Sequence, residues 1–310
     1  MFTRSRKLIF ASLLAFALAI GSAPPGLADH KKTWEKTFEI NPGGLLTVEA
    51  DLGSIEVGTS SSNEVEVEVI VKAGREKYLD DFKVEFEQNG NDVSVFGELM
   101  KRRSFWSSIR KPLRVEFLIT VPKQYNLDLY TVGGSISVGD LDGDVRSETA
   151  GGSLNFERIN GTVEGRTSGG SISVESCVGE ADVKTSGGSI TLGEVKGEVS
   201  AKTSGGSITV EEVMGMIDAA TSGGSVTAYI TGQPEDDCRL STSGGSVSVY
   251  LEDDVGVYVD AHTSAGRVET DFPVAGRGKT RKSSLRGKIN DGGPELYLRT
   301  SGGNIYINEI

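Results

Sequence analysis

Thr185-Ser186-Gly187-Gly188-Ser189-Ile190-Thr191-Leu192 recurs one turn of chain later as Thr203-Ser204-Gly205-Gly206-Ser207-Ile208-Thr209-Val210. Working outward, nine copies of this pattern begin at Thr131, Thr149, Thr167, Thr185, Thr203, Thr221, Thr242, Thr263 and Thr300. The first six share an unbroken period of 18, the next two intervals are 21, and the last is 37. A fixed period with varying residues between the glycines marks repetition of a structural unit rather than low complexity.

Parity inside the unit shows what it builds. After the glycine pair of each copy, which is Ala265-Gly266 in the Thr263 copy, comes an aliphatic column of Ile136, Leu154, Ile172, Ile190, Ile208, Val226, Val247, Val268 and Ile305. Two residues on, the column recurs as Val138, Phe156, Val174, Leu192, Val210, Ala228, Val249 and Ile307, with Thr270 its polar member. Before the corner, the residue four ahead of each Thr is apolar, as in Val145, Val163, Ala181, Val199, Ile217, Cys238, Val259 and Leu296. Alternation on both sides of a Gly-Gly corner means two short strands per unit. One unit is too small to bury its own apolar side. Units stacked in register about 4.8 Å apart make one continuous core from these columns. The fold class is therefore all-β, a parallel β-helix or β-solenoid whose coil is one sequence period long.

The glycine pairs Gly169-Gly170, Gly187-Gly188, Gly205-Gly206 and Gly223-Gly224 read as structural turns that admit positive φ and a corner without Cβ clash. The Thr before each pair falls on the inward parity and predicts an internal hydroxyl ladder. A phosphate-cradling loop is the rival reading, but no helix start follows any of the pairs.

The flanks differ. Arg4, Arg6 and Lys7, then an apolar run over residues 8–20, then Gly26-Leu27-Ala28, read as a signal peptide over 1–28 with the mature chain starting at Asp29. Residues 29–130 contain strands without the period and are expected to cap one end of the stack. Within them Asp51-Leu52-Gly53-Ser54-Ile55-Glu56-Val57 is a degenerate repeat, and Phe82 to Phe96 is a hairpin turning at Gln88-Asn89-Gly90-Asn91. The solenoid occupies 131–310, interrupted by a basic loop at about 271–288, and the Thr300 repeat closes the chain.

Signal, strand-rich cap, and Thr-X-Gly-Gly-Ser-Ile units ending in Leu298-Arg299-Thr300-Ser301-Gly302-Gly303-Asn304-Ile305-Tyr306-Ile307 resemble the putative-adhesin β-strand-repeat family of bacterial envelope proteins. The resemblance spans the mature chain and is carried by the cores between Thr167 and Ser225. It implies a parallel β-helix-like fold and a surface or periplasmic place, and it transfers no catalytic residues. The two longer rungs, from Thr221 to Thr263, and the basic insertion depart from it.

Composition narrows the function. The formal charge is −12, and removing the signal's three cations and no anions (44 acidic against 29 basic side chains) makes it −15. Such a chain repels phosphate backbones, so nucleic acid is not an expected partner. Glycine is abundant at 41 of 310 residues and proline scarce at 8, which fits ordered repeats and not a disordered tract. His30 and His262 have no companions at metal-ligand spacing, and no cofactor or metal is expected. Glu164, Glu180, Asp182 and Glu198 form outward carboxylate columns beside Arg166, Lys184 and Lys202, which reads chiefly as a solvated, aggregation-resistant face. An outward Ser-X-Ser/Thr array follows the corners at Ser135/Ser137, Ser171/Ser173, Ser189/Thr191, Ser207/Thr209, Ser225/Thr227 and Ser246/Ser248, with Tyr229 and Tyr250 as a small stacking platform for a sugar. Together these carboxylates and tyrosines are the candidate ligand face.

The function expected is an exported, non-enzymatic, adhesin-like envelope protein presenting its solenoid faces to a surface, glycan or protein. The alternatives are a polysaccharide-active β-helix enzyme using the outward carboxylates, or an envelope-stress regulatory module. The register also places Cys177 and Cys238 about three rungs, or roughly 14 Å, apart, beyond disulfide reach.

Overall fold

The computed structural model describes residues 30–41, 43–100, 113–275 and 282–310. The proposed signal lies outside them. Among the described residues the regular structure is strand apart from one short 3-10 helix, Glu76–Asp81, and the strands form two long sheets of 13 and 14 that face each other across a single core. Each coil places its pre-corner strand in the 14-stranded sheet, as with Val199–Lys202, and its post-corner strand in the 13-stranded sheet, as with Ile208–Val213. Neighbouring coils pair parallel and in register, so that Thr191 faces Thr209 and Val199 faces Ile217.

Period-two alternation explains why these segments are strands and which side they bury. Ile190, Leu192, Val199, Ala201, Ile208 and Val210 are each fully buried, while the residues between them face outward. Each fully buried aliphatic side chain contributes about 1.5–3 kcal/mol, and the stack repeats this on every coil. Volumes are matched across the gap. Phe156, the largest member of its column, lies opposite Gly165, where an added Cβ would sit 3.4 Å from both Phe156 Cε2 and Leu154 Cδ1.

Both ends depart from the order of the sequence. The Thr300 repeat does not finish the stack. Its strands Glu295–Thr300 and Ile305–Glu309 lie between the Thr242 coil (Cys238–Thr242, Val247–Leu251) and the Thr263 coil (Val257–Thr263, Val268–Thr270). The long final interval is thus an excursion that passes over one coil and returns beneath it. The insertion expected to be a loop carries strands Val274–Ala275 and Ser284–Ile289, which pair antiparallel with each other. Ser284–Ile289 also pairs antiparallel with Val257–Thr263 and so covers that edge. Residues 276–281 of the insertion lie outside the described residues.

At the other end, Leu45–Ala50 and Ser54–Ser60 form a coil wedged between the Thr131 coil and one made from Asp92–Leu99 and Leu113–Pro122. The described strands of the 29–130 region therefore continue the same two sheets. Among the described residues there, the antiparallel pairings are those made by His30–Glu39, Glu64–Ala73 and Phe82–Asn89, which close the end. The hairpin Phe82–Asn89 to Asp92–Leu99 turns where Gly90 takes φ 63°, a left-handed conformation that glycine adopts without strain.

Candidate functional site: two outer faces on a hydrogen-bonded corner

The corner motif fixes every outward residue in place. Thr203 Oγ1 donates to the carbonyl of Gly188 on the preceding coil at 2.8 Å and accepts from its own Gly206 N–H at 3.4 Å. The donation to the preceding coil recurs at Thr149, Thr167, Thr185, Thr221 and Thr242. It also recurs at both interfaces of the inserted coil, through Thr300 to Gly245 and Thr263 to Gly303.

The first Ser after the glycines forms a second ladder. Ser207 N–H donates to Ser189 Oγ, and Ser225 N–H to Ser207 Oγ. Asn304 N–H extends the chain by donating to Ser246 Oγ, and Asn304 Oδ1 then accepts from Arg267 N–H. Half of the outward Ser-X-Ser/Thr array is thereby consumed in holding coils together.

The repeat glycines are needed for closeness, not for positive φ. Among the described residues, positive φ occurs at Gly43, Gly53, Gly90, Gly292 and Asn290; Gly53 belongs to the degenerate repeat, and none lies in the corners of the nine regular copies. A Cβ at Gly206 would lie 2.1 Å from the Gly188 carbonyl oxygen. The turn residues Gly169, Gly187, Gly205 and Gly223 are less crowded, with the nearest atom 2.9–3.2 Å away. Their partners Gly170, Gly188, Gly206 and Gly224 are all within 2.1–2.3 Å of backbone. The second glycine of each pair is therefore the constrained one.

What remains exposed falls on two separate faces. On the 13-stranded sheet, Ser137, Asn155, Ser173, Thr191, Thr209, Thr227 and Ser248 align in one uncharged column through successive registers. Among the described residues, none of these side chains has a hydrogen-bond partner in the protein. Beside the column, Tyr229 and Tyr250 stack with ring centroids 4.4 Å apart and planes inclined by 8°.

Glu164 and Asp182 belong to the other sheet. Glu164 and Asp182 are register neighbours, and Arg166 bridges them through Nη2 at 2.8 and 3.0 Å. Glu180 and Glu198 sit in the turns before their strands with exposed side chains, and their carbonyls accept from Val163 and Ala181 N–H. The structure thus joins Glu164 to Asp182 and separates both from the tyrosine pair. A carboxylate held by a guanidinium is poorly placed to act as an acid or base. No group of three or more His, Cys, Asp or Glu could hold a metal among the described residues.

One cluster has no counterpart in the sequence reading. Asp260, 11 % exposed at its side chain, receives Arg286 from the covering strand at 2.9 Å and Arg299 from the inserted coil at 3.0 Å. Burial pushes the Asp260 carboxyl up, but the hydrogen bonds and charges of Arg299 and Arg286 outweigh it and hold the pKa below the ordinary carboxylate value. Tyr297 lies between the guanidiniums of Arg299 at 3.5 Å and Arg239 at 4.6 Å. Asp260 thereby fastens the inserted coil to the coil it displaced.

Among the described residues no helix is long and apolar enough to cross a membrane. Comparison with curated proteins gives no match. Solved structures similar over 90 % of this chain include three of different description. A putative cell adhesion protein from Clostridium sporogenes ATCC 15579 is 14 % identical, fully covered, with a TM-score of 0.25. A putative adhesin from Bacteroides fragilis NCTC 9343 is 12 % identical, 97 % covered, with a TM-score of 0.28. A putative lipid binding protein from Parabacteroides distasonis ATCC 8503 is 12 % identical, 96 % covered, with a TM-score of 0.27. The Toastrack DUF4097 family matches residues 46–308, which takes in nearly all of both sheets, and the chain belongs to that family.

Proposed function

We propose that this chain is an exported, adhesin-like protein of the bacterial envelope. It binds a surface, glycan or protein partner through the outer faces of its solenoid and carries out no catalysis. The observation that carries this is the column of small polar side chains on the 13-stranded sheet, flanked by the Tyr229–Tyr250 stack. A rigid frame holds groups with free hydrogen-bonding capacity at a repeat of about 4.8 Å, which suits an extended ligand. The charged start and apolar run of residues 1–28 support export. The bridging of Glu164 and Asp182 by Arg166 speaks against the polysaccharide-active alternative.

The test is capture of envelope components by the chain from Asp29 onward, compared with a Tyr229→Ala/Tyr250→Ala variant. Retention of a saccharide or envelope protein that the variant loses supports the reading. Retention of nothing, or a hydrolytic activity abolished by Glu164→Gln, would refute it. N-terminal sequencing from fractionated cells should find Asp29 outside the cytosol.

A further inference from the structure

A concave patch of about 480 Å³ lies on the outer face of the 14-stranded sheet, where Leu45–Ala50, Asn126–Thr131 and Val145–Thr149 run side by side. The register sets six outward side chains in two rows of three: Thr47, Asp128 and Arg146, then Glu49, Tyr130 and Glu148. Because the first of these strands is far from the second along the chain and outside the regular period, the cluster is invisible to the repeat pattern.

Tyr130 stands in the middle of its row, 41 % exposed. Coils repeat at about 4.8 Å, so Glu49 and Glu148 are the register neighbours of Tyr130 on its two sides, with their Cα atoms about 10 Å apart. Among the described residues the carboxylates of Glu49, Asp128 and Glu148 have no ion pair or hydrogen bond in the protein. Arg146 has only a long contact to Glu164 at 3.9 Å and is 60 % exposed.

The chemistry is specific. An exposed aromatic ring accepts the C–H face of a pyranose. Carboxylates accept hydrogen bonds from its hydroxyls, and a guanidinium donates to its ring or acetal oxygens. Three carboxylates against one guanidinium leave a formal local charge of −2, which repels uronic acids and phosphorylated sugars. The same charge attracts an ammonium, which an aromatic ring also favours over its face.

We propose that this patch binds a saccharide carrying free amino groups, with Tyr130 as the stacking platform and Glu49, Asp128 and Glu148 as ammonium and hydroxyl acceptors. The inference rests on the reading of the chain as a binding protein, but it uses the face opposite Tyr229 and Tyr250.

The experiment is calorimetric titration of the chain from Asp29 onward, at about pH 6 so that a hexosamine amine is protonated. The probes are a glucosamine hexamer, its fully N-acetylated counterpart, and spermine. The glucosamine hexamer should bind at least about tenfold more tightly than the acetylated one. Tyr130→Ala and Glu49→Gln/Glu148→Gln should each weaken it about tenfold or more, with Tyr229→Ala/Tyr250→Ala unchanged. All of these side chains are exposed or half-buried, and unchanged circular dichroism confirms folding. The proposal falls if the glucosamine hexamer does not bind, or if the acetylated hexamer binds equally. It also falls if spermine matches the sugar with no loss in Tyr130→Ala, which is bare charge attraction. Loss confined to Tyr229→Ala/Tyr250→Ala would overturn this site while leaving the binding function intact.

Discussion

Replacing one glycine of a corner pair by alanine should separate two explanations of why the pair exists. At Gly206 the new Cβ would lie 2.1 Å from Gly188 O, 2.4 Å from Gly188 C and 2.6 Å from Ser189 Cα, all backbone atoms of the coil below. No rotamer relieves such a contact, so the coils must part locally by about an ångström, an overpacking that costs about 1–3 kcal/mol. Parting also stretches the bonds from Thr203 Oγ1 to Gly188 O at 2.8 Å and from Thr221 Oγ1 to Gly206 O at 2.7 Å. Each is worth about 1 kcal/mol. Gly206→Ala should therefore destabilise by about 2–4 kcal/mol. At Gly205 the nearest atom is Gly187 O at 3.0 Å, and a few tenths of an ångström suffice. Gly205→Ala should cost under about 1 kcal/mol. Urea unfolding monitored by far-ultraviolet circular dichroism reads both, provided the slope is unchanged. Equal midpoints for the two variants would refute the close-approach account and return the corner to a conformational explanation.

Three further outcomes follow from other parts of the core. Ser147 is 1 % exposed and its hydroxyl has no partner among the described residues, so Ser147→Ala should leave stability unchanged or raise it by up to about 1 kcal/mol; a loss above about 1 kcal/mol in the same assay would show a hidden partner. The Asp260 pKa is depressed in the folded state, so its contribution is complete above the unfolded value near 3.9 and is lost as pH falls through the lower folded value. Asp260→Asn should cost about 2 kcal/mol at neutral pH and flatten the acid limb of the stability curve, an expectation that fails if the two curves stay parallel below about pH 4. Cys177 and Cys238 are buried free cysteines, and burial pushes both thiols up, so native labelling should be slow and two thiols should titrate after denaturation without reductant. A Cys177–Cys238 disulfide found by mass spectrometry would contradict the register.

The interior of the fold is legible in the sequence because its signal is local. Parity around each corner names the buried columns, and Ile136 through Val247 and Ile305 are buried as read, while Val268, on the outermost coil, is only half-buried. The Thr ladder is legible for the same reason. Stacking order is not, because nothing within a repeat says which neighbour it chooses. The Thr300 and 45–60 coils take places that serial order would not assign. The glycine pairs are recognisable as corners, but the crowding at Gly206 is a relation between coils that one coil's sequence does not display. Parity also separates inward from outward without naming the sheet. Carboxylates before the corner and tyrosines after it thus read as one face, although the corner puts them on opposite sides of the molecule.

Every surface described above depends on in-register stacking with interleaved ends, and engineered cysteines test it directly. Ser248 pairs with Tyr306 on the inserted coil, and Tyr306 pairs with Glu269 on the coil beyond. Adjacent strands lie about 4.8 Å apart, within the roughly 4.4–6.8 Å between Cα atoms that a disulfide spans, whereas two coils, about 9.6 Å, exceed it. Under mild oxidation, Ser248→Cys/Tyr306→Cys should form an intramolecular disulfide readily, and Ser248→Cys/Glu269→Cys should not. Cross-linking of the second pair in preference to the first would mean that the coils stack in the order of the sequence.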